Sequence, residues 1–419
     1  MNQVDVLIVG GGAAGIAAAR RFQGEQLSFL LVEASDRLGG RAFTRKLAGM
    51  ELDLGCGWLH SADRNPWAKL AQESGIAIDR TPPAWREQFA ELGFSLAEQR
   101  EAAEAFEAFD RRLREDPPAS DCAAEALEPG NRWNCYLEAL SGYINGAELS
   151  QLSVADFLAY EDRETEVNWR LPGGYGALIS SAADGLSVSL GSPVGWIDRR
   201  GSLLEAHTPN GSIGAKMVIV AVPTNVLARE GLRFDPPLPE KTEAAADLPL
   251  GLANKAFLQL DRPEPFEPDT QLIGDPRNPA TGAYYLRPFA RPVIECFFGG
   301  AGARALEAEG EGAALAFAVD QLVGLLGSDM RRRLTPLAES RWGSEPLFGG
   351  SYSHALPGEA ACRAILAAPV ENRIYFAGEA CSRSDFSTAH GAYETGVAAA
   401  EAVLVALGLA HPGEDQAAD

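Results

Sequence analysis

The sequence predicts a mixed α/β protein, in which a helix-covered parallel sheet is assembled from separated stretches of chain and a second unit is interleaved with it. Three observations predict this. An apolar run breaks into glycines at the start of the chain, a similar strand-glycine-helix pattern returns near its end, and a series of strand-like segments lies between them.

At the start, Val4–Val9 has the length and β-branched content of a buried parallel strand, and Ala13–Phe22 has the small residues of a helix lying close on a sheet. Gly10, Gly12 and Gly15 form a G-x-G-x-x-G turn between them. Gly10 allows the tight turn, Gly12 lets backbone approach a pyrophosphate, and Gly15 lets helix and strand touch. Ala13 and Ala14 open the helix, whose unpaired N–H groups and dipole favour an anion. A second apolar run, Leu27–Val32, ends in Glu33 and Ala34, with Glu33 at the offset where a carboxylate grips ribose hydroxyls. The expected ligand is a dinucleotide.

The next residues, Ala34 to Arg41, add Gly39 and Gly40, which let the chain run over a diphosphate that Arg41 can neutralise. This run resembles the second fingerprint of FAD enzymes of the flavin amine oxidase superfamily, which includes monoamine and polyamine oxidases. The resemblance continues in order through the blocks Gly10 to Arg41, Asp53 to Trp58, Pro172 to Leu260 and Trp342 to Ala400. It implies a Rossmann-like FAD-binding domain of the GR2 type with an interleaved substrate domain. On this reading residues 1–75, 171–247 and 335–419 form the FAD unit, and 76–170, a helical insertion, joins the β-rich 248–334 in the substrate unit.

Within the insertion, Glu87 to Arg114 and onward to Glu161 has helical spacing, broken at Pro117-Pro118 and Pro129-Gly130. After Leu171-Pro172-Gly173-Gly174, strands are expected at Leu186–Leu190, Pro193–Ile197, Leu203–Thr208 and Lys216–Val222, with a turn at Asn210-Gly211. Further strands are expected at Ala253–Leu260, Ala283–Leu286 and Val293–Phe298, then one helix near Arg304–Leu326. Trp342 with Gly349 to Ser353 matches the family's strand flanking the flavin. Last, Ile374–Phe376 runs into Gly378 and Glu379, and a helix starts near Ala389.

By the resemblance, Val194 meets the adenine, Glu379 lies near the ribitol and pyrophosphate, and Thr388 and Ala389 face the flavin pyrimidine edge. Lys255, a lysine in an otherwise apolar strand, matches the family lysine that holds a water against flavin N5; from its neighbours alone it also fits an exposed edge strand. Gly55 and Gly57 permit close backbone approach, Trp58 offers a flat wall, and His60 either lines the cavity or makes a structural hydrogen bond. Ser351 stands where some members attach the flavin through cysteine, so a noncovalent FAD is expected. Thr388 aligns with the second tyrosine of the family's aromatic pair, leaving Tyr352 alone. A wider, more polar cavity than a two-tyrosine cage follows. The loop after Gly55 lacks the Met-Arg pair of L-amino-acid oxidases.

Thirty-six basic against fifty-eight acidic residues give a net charge of −22, which argues against nucleic acid and anionic membrane partners and serves either solubility or the collection of cations, solubility being the simpler reading. No apolar stretch reaches the eighteen or so residues of a membrane span. With the first strand starting within a few residues, no secretory signal is expected, and because the end, His411 to Asp419, is short, polar and acidic, no lipid or membrane anchor is expected either. The six cysteines form no C-x-x-C pair and no metal spacing with the five histidines, so no metal and a cytoplasmic location are expected. The implied activity is oxidation of an amine C–N bond by hydride transfer to flavin N5, with oxygen or another electron acceptor as second partner and a homodimer left open. Two other readings stay open: C–C desaturation on the same fold, and a flavin-bearing scaffold without turnover.

Overall fold

The computed structural model describes residues 2–85 and 88–409, so Glu87 and the stretch His411 to Asp419 lie outside it. Along the chain the strands are β1 (Asn2–Val9), β2 (Phe29–Val32), β3 (Thr44–Leu47), β4 (Met50–Asp53), β5 (Trp58–Leu59), β6 (Trp169–Arg170), β7 (Val188–Ser189), β8 (Trp196–Asp198), β9 (Leu204–Thr208), β10 (Gly211–Val220), β11 (Arg233–Asp235), β12 (Ala253–Leu260), β13 (Thr270–Ile273), β14 (Ala283–Leu286), β15 (Val293–Gly299), β16 (Leu334–Glu339) and β17 (Ile374–Phe376).

An eight-stranded sheet has the order β11-β8-β9-β10-β1-β2-β7, and β17 also pairs with β10. Strand β10 is long enough to serve β9 along Gly211–Ala215 and β17 along Val218–Val220. Both neighbours of β1 run parallel to it. Successive residues of β1 point to opposite faces. Val6 and Ile8 pack with Ile16, Ala400 and Val403 on one face, while Leu7 and Val9 pack with Leu227, Leu248 and Leu366 on the other. Two covered faces explain why the strand reads as a continuous apolar run. The first helix, Ala13–Arg21, lies against the last, Ala389–Ala406. They approach closely because a Cβ on Gly396 would stand 2.1 Å from the Ala14 carbonyl oxygen.

The second sheet is antiparallel, with the order β13-β14-β15-β12-β16. Helices Gly300–Glu309 and Ala313–Leu326 pack on it through Ala303, Leu306, Ala318 and Leu322. The single helix expected near Arg304–Leu326 is therefore two, interrupted where Gly310 and Gly312 take φ of 111° and 84°. Residues 335–339, grouped with the FAD unit in the sequence reading, run in β16 of this second sheet.

Helices of the 76–170 stretch are Leu96–Glu115, Asn134–Asn145 and Val154–Glu161. The first begins later than expected because Ser95 and Glu98 form a capping box that fixes its start. Before it, Gln88 and Phe89 lie beside β13, with the Phe89 N–H donating to the Gln271 carbonyl at 2.6 Å. The region of Trp342 and Gly349 to Ser353, expected as a strand, is irregular apart from one bridge between Ser353 and Leu250. Gly349 at φ 71° turns the chain out of an extended path. Among the described residues no helix is long and apolar enough to cross a membrane.

Candidate functional site

The turn after β1 builds an open cradle. Gly10 takes φ of 111°, and a Cβ there would lie 2.4 Å from the Ala221 carbonyl oxygen. On Gly15 a Cβ would lie 1.9 Å from the Gly10 oxygen, so this glycine is required by packing. Gly12 is different: a Cβ there meets nothing within 4 Å. Space thus stands open at the N-terminus of the first helix, where an anion is favoured. The Gly39 N–H donates to the Gly11 oxygen at 2.9 Å, and Arg37 donates to the Gly40 oxygen at 2.8 Å, so the second glycine loop lies over the first. Glu33 is buried and accepts from the Gly11 N–H at 2.6 Å and the Ser35 N–H at 2.8 Å. Its carboxylate fixes the turn while retaining lone pairs for hydroxyl donors. Ala13 and Ala14 sit at the helix start, Ala34 follows Glu33, and buried Val194 packs in one cluster with Val9 and Val32 at the ends of the central strands. These residues fit the diphosphate and ribose of FAD.

A second polar centre lies where β17 ends. Gly378, at φ 137°, has open space around its missing Cβ, and its N–H donates to Thr395 Oγ1 at 3.0 Å. Glu379 is buried and accepts from Arg41 at 2.9 Å, from the Ser353 hydroxyl at 2.6 Å and from the Ser387 N–H at 3.0 Å. Burial alone would raise its carboxyl, but Arg41 and these donors hold it below the usual range. Arg41 also donates to the Ser351 carbonyl at 2.6 Å. The sequence reading gave Arg41 to the diphosphate; in the structure one of its guanidinium nitrogens is committed to the Glu379 and Ser351 side.

The third centre gathers around Lys255. Strand β12 lies between β15 and β16, so the edge-strand alternative is excluded. Lys255 is buried and its Nζ lies 2.7 Å from Glu295 Oε1. The antiparallel register places Lys255 opposite Phe297, so Glu295, two residues away, is its diagonal neighbour on the same face. Lys255 Nζ also stands 3.0 Å from where a Gly57 Cβ would be, and Asp53 is the next neighbour. Asp53 accepts from Thr44 and from the N–H groups of Tyr175 and Gly176. Burial raises its carboxyl, against the opposing charge of Lys255. Burial also pushes the nearby Cys56 thiol up to about 12. Gly55 is obligatory, since a Cβ would lie 1.8 Å from the Arg41 oxygen.

Beyond Gly57 the wall is aromatic. Trp58 packs edge-on against Trp85 at 4.8 Å and Tyr285 at 6.0 Å between ring centroids. His60 lies 6.0 Å from the Trp85 ring, and its Nδ1 is 2.7 Å from Asn168 Oδ1. Burial lowers the His60 pKa to about 4, so the ring is neutral at ordinary pH. Arg170 faces Trp58 and Tyr285 and pairs with Asp79 and Asp269.

Lys255, Gly57, Trp58 and His60 are thus brought together. The other predicted residues are held by different contacts. Tyr352 donates its hydroxyl to the Tyr143 carbonyl at 2.7 Å. Thr388, expected to supply a polar cavity surface, caps the last helix: its hydroxyl donates to the Asp385 oxygen at 2.7 Å and accepts from the Gly391 N–H at 3.0 Å. That is the local reason for a threonine there. Ala389 accepts from Trp67 Nε1 at 2.9 Å, and Trp342 Nε1 donates to the Leu54 oxygen at 3.1 Å.

Sequence reasoning missed Glu295, Arg170, Trp85 and Tyr285. For Glu295 a signal existed: a lone acid in an apolar strand answers the lone lysine of β12. Trp85 comes from a loop and Arg170 from a two-residue strand that carry no periodicity, while Tyr285 lies in β14, a strand that was legible although the partner of this tyrosine was not. No metal spacing was legible, yet the fold brings ligand atoms of Asp247, Glu359 and Cys362 within 4.8 Å of one another. Burial and the two carboxylates push the Cys362 thiol up to about 12, which disfavours the thiolate that binds metals.

Known proteins resemble this chain over nearly its whole length. The family model for flavin containing amine oxidoreductases matches residues 13–404. Polyamine oxidase 2 of Arabidopsis thaliana is 30% identical over 433 aligned residues, covering 94% of this chain and 87% of that protein. Polyamine oxidase 4 of Oryza sativa subsp. japonica is 30% identical over 442, covering 94% and 88%. Among solved structures, cyclohexylamine oxidase from Brevibacterium oxydans IH-35A shares the fold with a TM-score of 0.78 at 20% identity, over 97% of this chain and 99% of that one. A putrescine oxidase bound to putrescine does so with 0.75 at 21% identity, over 96% and 99%.

Proposed function

The chain belongs to the flavin-containing amine oxidoreductases and is an FAD-dependent oxidoreductase, and from that premise we propose that it oxidises the C–N bond of a secondary or polyamine-like amine to an imine, with oxygen as acceptor and hydrogen peroxide as product. The observation that carries this reading is Lys255, held buried in the centre of a sheet by Glu295 and pressed against Gly57. A buried ammonium is costly, and its retention here argues for a function at that point.

When bound, FAD supplies the two-electron acceptor at its N5, and water then hydrolyses the released imine. Every other task falls to the chain. Gly10 to Gly15, Glu33 and the Gly39–Gly40 loop would hold the dinucleotide end, while Gly378, Glu379 and the start of the last helix would receive the rest. Ser351 both donates to the Ala253 oxygen at 2.7 Å and accepts from the Ala253 N–H at 2.8 Å, which supports a noncovalent cofactor. One Lys255 N–H donates to Glu295, leaving two N–H donors able to hold a water or steady a developing negative charge. Trp58, Trp85 and Tyr285 offer flat apolar and π surface to an alkylammonium group. Neutral His60 avoids repelling it. Only the free base has the lone pair needed for oxidation, so the site must bind a cation and release its proton.

Anaerobic addition of an amine panel to the yellow holoprotein tests the proposal. Bleaching of the flavin band by secondary or polyamine-like amines, with peroxide on readmitting air, is expected. Bleaching by no amine overturns it.

A further inference from the structure

Arg170 ties together three pieces of chain around the aromatic wall. Its backbone works in two directions: β6 pairs with β5 through Trp58, and on the other side Arg170 and Asp79 exchange N–H to carbonyl bonds of 2.8 and 2.9 Å. The side chain repeats the pattern. Nη2 donates to Asp79 at 2.7 Å and Asp269 at 2.9 Å, and the guanidinium carbon lies 4.3, 4.8 and 5.1 Å from the ring centroids of Phe289, Trp58 and Tyr285. Arg170 is 4% exposed. Asp269 in turn accepts the Phe289 N–H at 3.0 Å, in a turn where Arg287, Phe289 and Ala290 all have positive φ. Such a turn persists only where its surroundings fix it. Asp79 begins the stretch that leads to Trp85.

We propose that Arg170 is a positioning residue that sets the ring planes of Trp58 and Tyr285 and the stem of the loop bearing Trp85, and so decides which amines fit the wall. This rests on the amine-oxidase reading of the site. Four features of an arginine are needed at once: permanent charge, a planar face for the rings, donors for two carboxylates, and length. A lysine keeps only charge and reach.

The test compares holoprotein carrying Arg170→Lys with the unmodified protein, measuring KM and kcat for a small aliphatic amine and a bulky ring-bearing amine, near-UV circular dichroism of the indole bands, FAD content and Tm. For Arg170→Lys, KM for the bulky amine is expected to rise about tenfold with kcat within about twofold, the pattern of lost substrate-fitting contacts worth about one cation–π interaction. The indole bands should weaken while FAD content holds. Should Arg170→Lys not fold, Asp269→Asn removes one anchor and carries the same expectation. Unchanged KM and unchanged indole bands overturn the proposal. So does an equal loss of kcat for every amine together with a lower Tm, which marks Arg170 as scaffold. If no amine reduces the unmodified protein, the functional reading fails, while the indole bands still report whether Arg170 orders the wall.

Discussion

Two glycines three residues apart on one turn, Gly12 and Gly15, have opposite fates on substitution. Gly15→Val would drive a side chain into the Gly10 carbonyl, 1.9 Å from its Cβ, a backbone group that cannot yield, with the Leu31 side chain 3.2 Å away as the next neighbour. We expect a loss of several kcal/mol, or about the upper end of overpacking costs, seen as a lower Tm in the FAD-free protein. Gly12→Val meets open space, at an ordinary φ of −81°. It should leave the FAD-free Tm unchanged and abolish the yellow colour. A fully loaded Gly12→Val protein would show that the pyrophosphate lies elsewhere. Glu33→Gln should lower occupancy more gently, by about 1.5–3 kcal/mol for a lost charge-assisted bond. Acid precipitation should release FAD into the supernatant, because Ser351 is held by Ala253 and supplies no thiol. Flavin retained in the pellet contradicts this.

At the scale of elements, β12 and β15 act as one unit through the pair of Lys255 and Glu295, whose side chains are 6% and 19% exposed. Removing one partner of a buried pair costs about 3–5 kcal/mol, because the other charge is left uncompensated. Lys255→Met and Glu295→Gln should each destabilise, and the double variant should regain much of the loss; strict additivity in urea titrations would mean the two do not interact. Lys255→Met should also slow reoxidation by oxygen more than anaerobic reduction by an amine, as stopped-flow traces would show. The sequence made β12, β14 and the first strand-turn-helix readable because apolar runs, Gly10 and Gly15 leave few alternatives. It did not show β13, which is short and begins with polar Thr270 and Gln271, nor the break at Gly310, because a glycine within a helical pattern is tolerated as often as it stops one. At the site, Lys255, Gly57 and Glu379 were legible through the family resemblance, since the neighbours of Lys255 alone also fitted an exposed edge strand. Arg170 was not, since a two-residue strand has no period and its partners arrive from residues 79 and 269 only after folding.

The whole molecule carries an acid sensitivity in its buried histidines. Burial lowers both His60 and His354 from 6.5 to about 4, His354 with added repulsion from Arg363. Between these values the unfolded chain binds the protons that the folded one refuses, so stability is full above pH 6.5 and falls as pH drops toward 4, by up to about 1.4 kcal/mol per pH unit for each group. His354→Gln should flatten the curve of Tm against pH; an unaltered curve would place the loss elsewhere. A different consequence follows from the contact of Gly396 with Ala14, which closes the first helix against the last. During synthesis the N-terminal strand emerges apolar on both faces, yet its helix partner is about 380 residues away, roughly 20–80 s of translation at ordinary rates. Until then the nascent chain displays a sticky edge on the ribosome. Yield in cells should therefore depend on chaperone supply far more than the stability of the finished protein suggests, and a chain stopped at Thr388 should aggregate even though every residue of the glycine turn is present. Soluble expression of that truncation would show that the N-terminal unit shelters itself.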